Sequence, residues 1–316
     1  MNLPKKNRTM VVAGASGVVG RHLISHAKEE GWTVQTLSRS NPESTLWNPD
    51  EIIEEKGDTL TGVVEALEGS DLLVNLAGAS LAEGKLGIDH SKLVLESRIY
   101  ATRALGMAYR KCTAPPPCWI QASATGYYGE AGEEDVTEES SPGELFLSQV
   151  CEAWEEMARE AIDEKTKLPR LIILRLGLVF AKDAPAWSKM TLPIRMGFGG
   201  ALGEGTQWYA WMESSDMARA ILHLHDNEKS SGTYNLTTPK PVQQIELARK
   251  IGKILHRPVL LPTPAFALRL ALGKVADELL LPSCRALPNR LKEEGFTFQY
   301  PGIDETLVKL LSEEPA

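Results

Sequence analysis

The stretch from Val12 to Gly20 reads Val-Ala-Gly-Ala-Ser-Gly-Val-Val-Gly, and its three glycines are spaced three residues apart. In a turn between a strand and a helix, each glycine of such a series has a separate role. Gly14 permits the tight turn, Gly17 lets a dinucleotide pyrophosphate approach the backbone, and Gly20 allows close packing of the helix against the sheet. The spacing predicts a dinucleotide-binding loop, with an unliganded glycine-rich turn as the alternative.

The residues on either side of this loop fit its predicted role. An apolar run over 9–13 predicts a strand, and apolar periodicity over 18–30 predicts a helix that ends at Gly31. The amide groups and the positive dipole at such a helix start attract phosphate. The loop residues expected to contact the dinucleotide are Gly14, Ser16, Gly17, Val18, Val19 and Gly20.

Strands and helices alternate through the first half of the chain. Further strands are predicted over 33–38, 71–76, 118–123 and 171–180. Further helices are predicted over 61–67, 91–111 and 146–162. Because these strands are apolar on both faces and are separated by helices, the pattern predicts an α/β fold with a doubly wound parallel Rossmann sheet.

The pattern changes after Phe180, where segments interrupted by Gly and Pro follow. We predict a Rossmann domain over residues 1–182 and a smaller C-terminal α+β substrate lobe over 183–316, which includes a small C-terminal region from about residue 260. In this half, the sequence predicts helices at 214–224 and 243–255 and a strand at 233–236. The helix near 214–225 is expected to return to the Rossmann domain.

The second predicted strand ends Leu37-Ser38-Arg39-Ser40, without an acidic residue. Folds that bind NAD place Asp or Glu here to accept a hydrogen bond from the ribose 2′-hydroxyl. A carboxylate would repel the 2′-phosphate of NADP, whereas a guanidinium beside hydroxyl groups suits it. Ser38 and Arg39 therefore predict NADP(H) as the cofactor, with a solvated surface arginine as the alternative.

Charge and hydropathy argue against several classes of protein. The 316 residues include 34 Lys and Arg and 42 Asp and Glu, and the formal net charge of -8 is spread over short clusters. This distribution predicts no nucleic-acid partner, since such a partner needs a basic surface. No uninterrupted apolar segment of about 18 residues occurs, so no membrane partner is expected.

Cysteine and histidine spacing indicates the compartment and the absence of metal chemistry. The four cysteines show no Cys-x-x-Cys spacing, and we recognise no secretory signal before the first strand. We therefore expect reduced thiols and a cytoplasmic protein. His22 and His26 lie one helical turn apart, but no Glu or Cys completes a zinc pattern, so no metal site is predicted.

The remaining motifs are spread over nearly the whole chain. They include Asn75-Leu76-Ala77-Gly78, Ser97-Arg98, Ser123 with Tyr127-Tyr128-Gly129, Cys151 with Trp154-Glu155, residues 174–179, Gly203-x-Gly205-x-Gln207 and Tyr234-Asn235-Leu236. Together with the glycine loop they resemble the extended and atypical short-chain dehydrogenase/reductases, in particular their epimerase-like branch of nucleoside-diphosphate-sugar epimerases. The resemblance implies that the residues joining Ser38 and Arg39 around NADP(H) are Leu76, Ala77, Gly78 and Arg98.

One motif of this superfamily is missing from the sequence. Short-chain dehydrogenases use Tyr-x-x-x-Lys on one helix, where the lysine lowers the pKa of the tyrosine so that it can exchange a proton during hydride transfer. None of the seven tyrosines is followed by lysine four residues later; the residues found there are Ala104, Thr113, Ala131, Gly132, Glu213, Thr238 and Asp304. Ordinary dehydrogenase or epimerase chemistry would therefore need another proton donor.

Ser123, Tyr127 and Tyr128 are the candidate catalytic residues, because they follow the predicted strand 118–123 at the sheet edge where such folds place their sites. Ser123 would bind a substrate oxygen, and either tyrosine would supply a proton. The alternative is that Ser123 caps a turn and the tyrosines are packing residues.

Two functions are consistent with these features. The first is an NADP(H)-dependent oxidoreductase or epimerase acting on a small carbonyl or sugar-like substrate. The second is a non-catalytic sensor or regulatory protein that binds NADP(H) without turnover. The resemblance also implies a homodimer, since many relatives pair through long helices such as the one predicted over 91–111.

Overall fold

The computed structural model describes residues 8–56, 59–81, 87–162 and 169–312. Its strands are β1 (Arg8–Ala13), β2 (Trp32–Ser38), β3 (Thr45–Leu46), β4 (Leu72–Asn75), β5 (Cys118–Ala124), β6 (Asp135–Val136), β7 (Arg170–Leu176), β8 (Leu178–Phe180), β9 (Trp208–Tyr209), β10 (Trp211–Glu213), β11 (Gly232–Leu236), β12 (Val242–Gln243) and β13 (Arg285–Ala286). Its helices are α1 (Val18–Glu29), α2 (Pro49–Ile53), α3 (Thr59–Leu67), α4 (Ile88–Lys111), α5 (Phe146–Glu160), α6 (Pro185–Arg195), α7 (Ser214–Asp226), α8 (Gln244–Ile254), α9 (Ala265–Leu272), α10 (Asn289–Glu293) and α11 (Ile303–Leu311). A 3-10 turn follows β5 at Thr125–Tyr128, and a π-helical turn follows α9 at Ala276–Leu280.

A central sheet of seven parallel strands organises the molecule, in the order β3-β2-β1-β4-β5-β7-β11. The chain begins at the middle of this sheet, runs to the β3 edge, and then returns to build the other half from β4 outward. The strand order therefore reverses between β1 and β4, which opens a crevice at their carboxyl ends. The predicted doubly wound parallel sheet is confirmed.

Helices cover both faces of this sheet, and β1 shows why its sequence is a continuous apolar run. Met10 and Val12 point to one face, where they join a core formed with α1 and α7. Val11 and Ala13 point to the other face and pack with residues of α3 and α4. All four side chains are fully buried, as expected for a parallel strand between two helical layers. Ile221 of α7 lies in the same core as Met10, so α7 packs against the central sheet.

The predicted strand 171–180 is wrong as a single element, because it divides at Gly177 into β7 and β8. The Gly177 amide donates to the Leu236 carbonyl at 3.1 Å, and a Cβ at Gly177 would lie 2.8 Å from the Ala210 carbonyl oxygen. After Gly177 the chain leaves the central sheet, and β8 pairs in parallel with β10. Apolar periodicity does not reveal this change of partner. The other predicted strands and helices end within three residues of the observed ones.

A second apolar core lies in the C-terminal half. It is formed by residues of β8, α6, β10, α8 and α11, with Phe180 stacked on Trp211 at 5.1 Å between ring centroids. Val18, at the start of α1, packs against this core. Lys309 of α11 also forms an ion pair with the buried Glu213 at 2.9 Å. The C-terminal half is therefore attached to the sheet beside the glycine loop.

Two observations bear on membrane and thiol chemistry. Within the described ranges, no helix combines the length and apolar character needed to cross a bilayer. The four cysteines are free thiols.

Candidate functional site

The glycine loop lies between the carboxyl ends of β1 and β4. Gly14 has a φ of +81°, and a Cβ on it would lie 2.5 Å from the carbonyl carbon and oxygen of Leu76. A Cβ on Gly20 would lie 2.6 Å from the Gly14 carbonyl oxygen. Both glycines are therefore required by the packing of the protein itself, one for a left-handed turn and both for close backbone contact.

Gly17 has a different environment from the other two glycines. Its φ is -67°, and a Cβ on it would meet only the Gly14 carbonyl oxygen, at 3.4 Å. It is exposed, it precedes α1, and no side chain caps that helix. Nothing inside the protein requires glycine here, so the missing side chain leaves open space in front of uncapped helix amides. Such a cradle fits a phosphate group.

The end of β2 lies beside the glycine loop, because Leu37 pairs with Ala13 in the parallel register. The Ser38 hydroxyl oxygen accepts hydrogen bonds from the Ser40 and Asn41 amides at 3.3 and 3.1 Å, which holds the turn after the strand. Arg39 is exposed at this edge. The turn geometry thus presents a guanidinium to solvent next to the loop.

Asn75 fixes the end of β4. Its fully buried amide nitrogen donates to Gln121 Oε1 at 3.0 Å and to Thr102 Oγ1 at 3.1 Å. Its side-chain oxygen accepts the Ala77 amide at 3.1 Å. The amide of Leu76, the residue between Asn75 and Ala77, donates to the Ala13 carbonyl at 2.9 Å. The backbone from Leu76 onward is therefore held against the glycine loop.

Arg98 of α4 contacts Gly78 and Ala79, the residues that follow the end of β4. Its Nη1 donates to the carbonyls of Val94 and Ala79 at 2.8 and 3.2 Å, and its guanidinium lies 5.0 Å from the Trp154 ring centroid. A Cβ on Gly78 would lie 3.1 Å from Arg98 Cζ. Burial lowers the pKa of Arg98. The predicted cofactor residues at and after the carboxyl ends of β1, β2 and β4 therefore lie close together. Arg98 contacts the segment that follows β4.

Ser123, the first candidate catalytic residue, is buried at the end of β5. Its hydroxyl donates to Glu155 Oε1 of α5 at 2.8 Å, and it is only 1% exposed. Cys151 lies one helical turn before Glu155 and also contacts the Ser123 hydroxyl. Burial raises the pKa of the Cys151 thiol to about 11, so the thiol stays protonated at neutral pH. A Cys and a Glu thus face Ser123 at the four-residue spacing of the missing tyrosine and lysine.

Glu155 forms a buried, bidentate ion pair with Arg175 of β7. Arg175 Nε lies 2.8 Å from Oε1, and Nη2 lies 3.0 Å from Oε2. The two side chains are 1% and 4% exposed. Burial acts to lower the pKa of Arg175, but the hydrogen bonds from its guanidinium to Glu155 and Tyr128 outweigh that effect and raise it. Arg175 therefore stays charged at any physiological pH.

Tyr128 is held by the same arginine. Its hydroxyl donates to Asn235 Oδ1 at 2.7 Å and accepts from Arg175 Nη1 at 3.0 Å, and the residue is 3% exposed. Burial raises the pKa of Tyr128 above its ordinary value, so it is a weak acid at neutral pH. Glu138 closes the network: its carbonyl accepts from Arg175 and its carboxylate accepts the Asn235 amide at 3.1 Å, while burial raises its pKa.

Tyr127 is the one of the three catalytic candidates that is not buried by the protein. It is half-buried, and its ring lies over the Arg175 guanidinium with 3.4 Å between Cζ and the ring centroid. The Tyr128 ring contacts it edge-on at 5.4 Å. The structure brings Ser123, Tyr127 and Tyr128 together around the Glu155–Arg175 pair, with only Tyr127 partly open to solvent.

Sequence reasoning assigned no role to Glu155, Asn235 or Glu138. A signal for the pair was present, because Glu155 interrupts the apolar face of α5 and Arg175 interrupts an apolar strand. Opposite charges in two elements predicted to be buried must be paired with one another or with other groups. Which partner each would find depends on contacts between distant parts of the chain.

His22, one of the two histidines weighed as metal ligands, lies beside a carboxylate. Its Nε2 is 2.9 Å from Asp183 Oδ1, and Arg21 Nη2 is 2.6 Å from Asp183 Oδ2. These contacts tie the start of α1 to the segment after β8. In the part of the chain that the structure describes, no group of three or more His, Cys, Asp or Glu residues is arranged to hold a metal.

A doubly wound parallel sheet with a glycine loop at its reversal point defines the class of Rossmann-fold proteins. Residues 10–237 match the model described as the NAD dependent epimerase/dehydratase family, and residues 263–310 match a domain of unknown function, DUF1731. The chain therefore belongs to the NAD-dependent epimerase/dehydratase family, which confirms the resemblance found in the sequence.

Similar proteins cover almost the whole chain. An epimerase family protein of Mycobacterium leprae is 33% identical over 305 residues, which are 96% of this chain and 95% of the relative. The epimerase family protein SDR39U1 homolog of Arabidopsis thaliana, described as chloroplastic, is 33% identical over 307 residues, 95% of this chain and 85% of the relative. The crystal structure of human epimerase family protein SDR39U1 with NADPH has a TM-score of 0.86 at 24% identity, covering 97% of this chain and 100% of that one.

The Glu155–Arg175 pair generates a stability prediction. Substituting Glu155→Ala leaves Arg175 buried without its carboxylate, so we expect the free energy of unfolding to fall by about 3–5 kcal/mol. Arg159 contacts the same carboxylate at 3.2 Å but is 52% exposed. The control Arg159→Ala should therefore cost less than about 1 kcal/mol. Urea unfolding measures both, and equal losses in the two variants would contradict the assigned roles.

Proposed function

We propose that this chain binds NADP(H) along the carboxyl ends of β1, β2 and β4. The observation that carries the proposal is Gly17, whose missing side chain serves no internal contact but opens a cradle at the start of α1. The residues proposed to hold the cofactor are Gly14, Ser16, Gly17, Val18, Val19, Gly20, Ser38, Arg39, Leu76, Ala77, Gly78 and Arg98. Of these, Arg98 acts by supporting the loop, since its Nη1 donates to the backbone carbonyls of Val94 and Ala79.

The preference for NADP(H) over NAD(H) is assigned to Arg39. It is exposed beside the Ser38 turn, at the position where a carboxylate would accept from a ribose hydroxyl. A guanidinium there pairs with a 2′-phosphate. Human SDR39U1, which shares the fold, was crystallised with NADPH, and this supports the same cofactor here.

The first proposed use of the cofactor is enzymatic, as an oxidoreductase or epimerase on a small carbonyl or sugar-like substrate. Bound NADP(H) would supply the hydride. The hydroxyl groups of Ser123 and Tyr128 already donate hydrogen bonds to Glu155 and Asn235. Tyr127 is therefore the residue proposed to transfer a proton to the substrate. The Arg175 guanidinium lies 3.4 Å from the centroid of the Tyr127 ring, so a positive charge lies directly beside the proposed donor.

The second proposed use is binding without turnover, as a sensor or regulatory protein. The observation that favours it is the burial of Ser123 and Tyr128 by the protein alone, together with Cys151 and Glu155 in place of a tyrosine and lysine pair. In this case the buried ion pair would have a structural role.

The predicted Rossmann domain over 1–182 also takes in α7 and β11, which pack on and complete the central sheet. The rest of the predicted substrate lobe over 183–316 is proposed to hold the substrate against this domain. The packing of Val18 against the C-terminal core supports such a position. The homodimer and the cytoplasmic location stay predictions.

Gly17 and Gly14 should respond differently to alanine. We expect Gly17→Ala to change the free energy of unfolding by less than about 1 kcal/mol, because its Cβ meets only one atom at 3.4 Å. NADPH affinity should nevertheless fall by about tenfold or more, since the methyl group fills the cradle. Gly14→Ala should cost about 2 kcal/mol or more through its positive φ and the clash with Leu76.

Urea unfolding and calorimetric titration measure the two effects separately. Unchanged NADPH affinity in a folded Gly17→Ala variant would contradict the role of the cradle.

Turnover should separate the two proposed uses. With carbonyl compounds, the oxidoreductase use predicts steady NADPH consumption. With sugar nucleotides, the epimerase use predicts formation of the epimer without net NADPH consumption, because the hydride is returned to the product. The rate of either reaction should fall by about 100-fold or more in Tyr127→Phe. Tyr128→Phe is the matched control, and its kcat should change by less than tenfold provided that it remains folded. Tight NADPH binding with neither NADPH consumption nor epimer formation on any compound would instead support the sensor or regulatory use.

A further inference from the structure

The C-terminal half carries a group of exposed large apolar side chains. Leu260, Leu270 and Phe266 are 79%, 82% and 72% exposed, and Met196, Phe198 and Leu261 are more than half exposed. Most of the strongly exposed large apolar residues in the described part of the chain fall in two segments, 192–198 and 260–272. Single exposed apolar residues are ordinary on a surface, but a group of them indicates a binding face.

These two segments lie side by side. Gly199 pairs with Val259 and Leu202 pairs with Thr263 in parallel bridges, and the Leu261 amide donates to the Gly199 carbonyl at 3.0 Å. The helix α9 begins two residues after this pairing. The exposed residues of both segments and of α9 therefore belong to one region of the surface.

The helix α9 is itself oriented with apolar residues outward. Phe266 and Leu270 lie one helical turn apart and so share a face, while Leu268 is 7% exposed and holds the opposite side to the protein. Arg269 is paired with Asp277 at 2.8 Å. An eight-residue helix with the sequence AFALRLAL thus presents two large apolar side chains to solvent.

The same region is basic in an acidic protein. Residues 185–203 and 249–276 contain eight Lys and Arg and no Asp or Glu, which leaves 26 basic against 42 acidic residues in the rest of the chain. Two of the eight are paired with carboxylates from neighbouring elements, Lys250 with Asp304 and Arg269 with Asp277. Five others are exposed, namely Lys189, Arg249, Lys253, Arg257 and Lys274. We refer to the surface formed by residues 185–203 and 249–276 as the apolar–basic face.

The charge of this face decides between possible occupants. A second copy docked face to face through a two-fold axis would bring two surfaces of net positive charge together, and like charges oppose such contact. An anionic lipid surface offers both complements, negative headgroups for the cations and a shallow apolar layer for Phe and Leu side chains.

We propose that the apolar–basic face binds the surface of an anionic lipid bilayer, with Leu260, Phe266 and Leu270 entering the headgroup boundary. The chain then lies on the membrane and does not cross it, in agreement with the helix lengths observed in the described ranges. The proposal departs from the expectation of no membrane partner, which rested on the absence of a spanning segment and did not consider a folded surface. It is independent of NADP(H) binding.

Vesicle cosedimentation of the full chain tests this proposal. The vesicles are phosphatidylcholine alone, or phosphatidylcholine with an equal part of phosphatidylglycerol. We expect sedimentation with the anionic vesicles, weak or no sedimentation with the neutral ones, and loss of binding as salt rises. The double variant Phe266→Ser, Leu270→Ser should bind about tenfold or more weakly, since two inserted side chains are lost.

Matched controls separate this face from general surface effects. Leu93→Ser removes a side chain that is 50% exposed on α4, outside the face, and should leave vesicle binding unchanged. The variant Lys253→Glu, Arg257→Glu should lose binding to anionic vesicles, whereas Lys92→Glu on α4, with a 69% exposed side chain, should keep it. All substituted side chains are exposed, and unchanged thermal unfolding confirms that each variant is folded.

Three results would overturn the proposal. One is no binding of the native chain to anionic vesicles at low salt. Another is equal binding by the native chain and the Phe266→Ser, Leu270→Ser variant. The third is self-association in sedimentation equilibrium that disappears in this variant, because a second copy would then be the occupant of the face.

Discussion

The close approach of Gly14 to Leu76 is the contact on which the candidate site depends. The backbone carbonyl of Leu76 occupies the volume that any side chain at Gly14 would need. This contact places the turn after β1 directly against the end of β4, at the point where the strand order of the sheet reverses. Because the Leu76 amide also donates to Ala13, the two strand ends form one rigid edge. The uncapped start of α1 and the Ser38 turn then face the same crevice.

A second constraint is the cost of burying charge. Glu155 and Arg175 are both removed from solvent, and each would be strongly destabilising without the other. Two hydrogen bonds join the pair. Glu155 also accepts a hydrogen bond from the Ser123 hydroxyl, and Arg175 donates one to the Tyr128 hydroxyl. The Ser123 hydroxyl, predicted from the sequence to bind substrate, and the Tyr128 hydroxyl, predicted as a possible proton donor, therefore form hydrogen bonds with the ion pair instead. This is the physical reason why the proton chemistry proposed for the site falls to Tyr127.

The sequence was sufficient for the features that follow from local pattern. Strands that are apolar on both faces, glycines at a fixed spacing and a basic strand end were all readable, and they predicted the parallel sheet and the position of the loop. The structure differs where a non-local contact decides. The separation of β8 from β7 depends on the backbone contacts that Ala210 and Leu236 make with Gly177. The burial of Ser123 depends on α5 presenting Glu155 to β5. Neither partner is a neighbour in sequence.

NADP(H) binding through the glycine loop and Arg39 is the central claim, and calorimetric titration of the cofactor-stripped protein tests it most directly. NADPH should bind more tightly than NADH by about tenfold or more, the contribution of a charge-assisted phosphate contact. In Arg39→Ala this preference should disappear, whereas Lys28→Ala, which removes an exposed cation at the far end of α1, should keep it. Absence of binding by either nucleotide, or an unchanged preference in Arg39→Ala, would contradict the account.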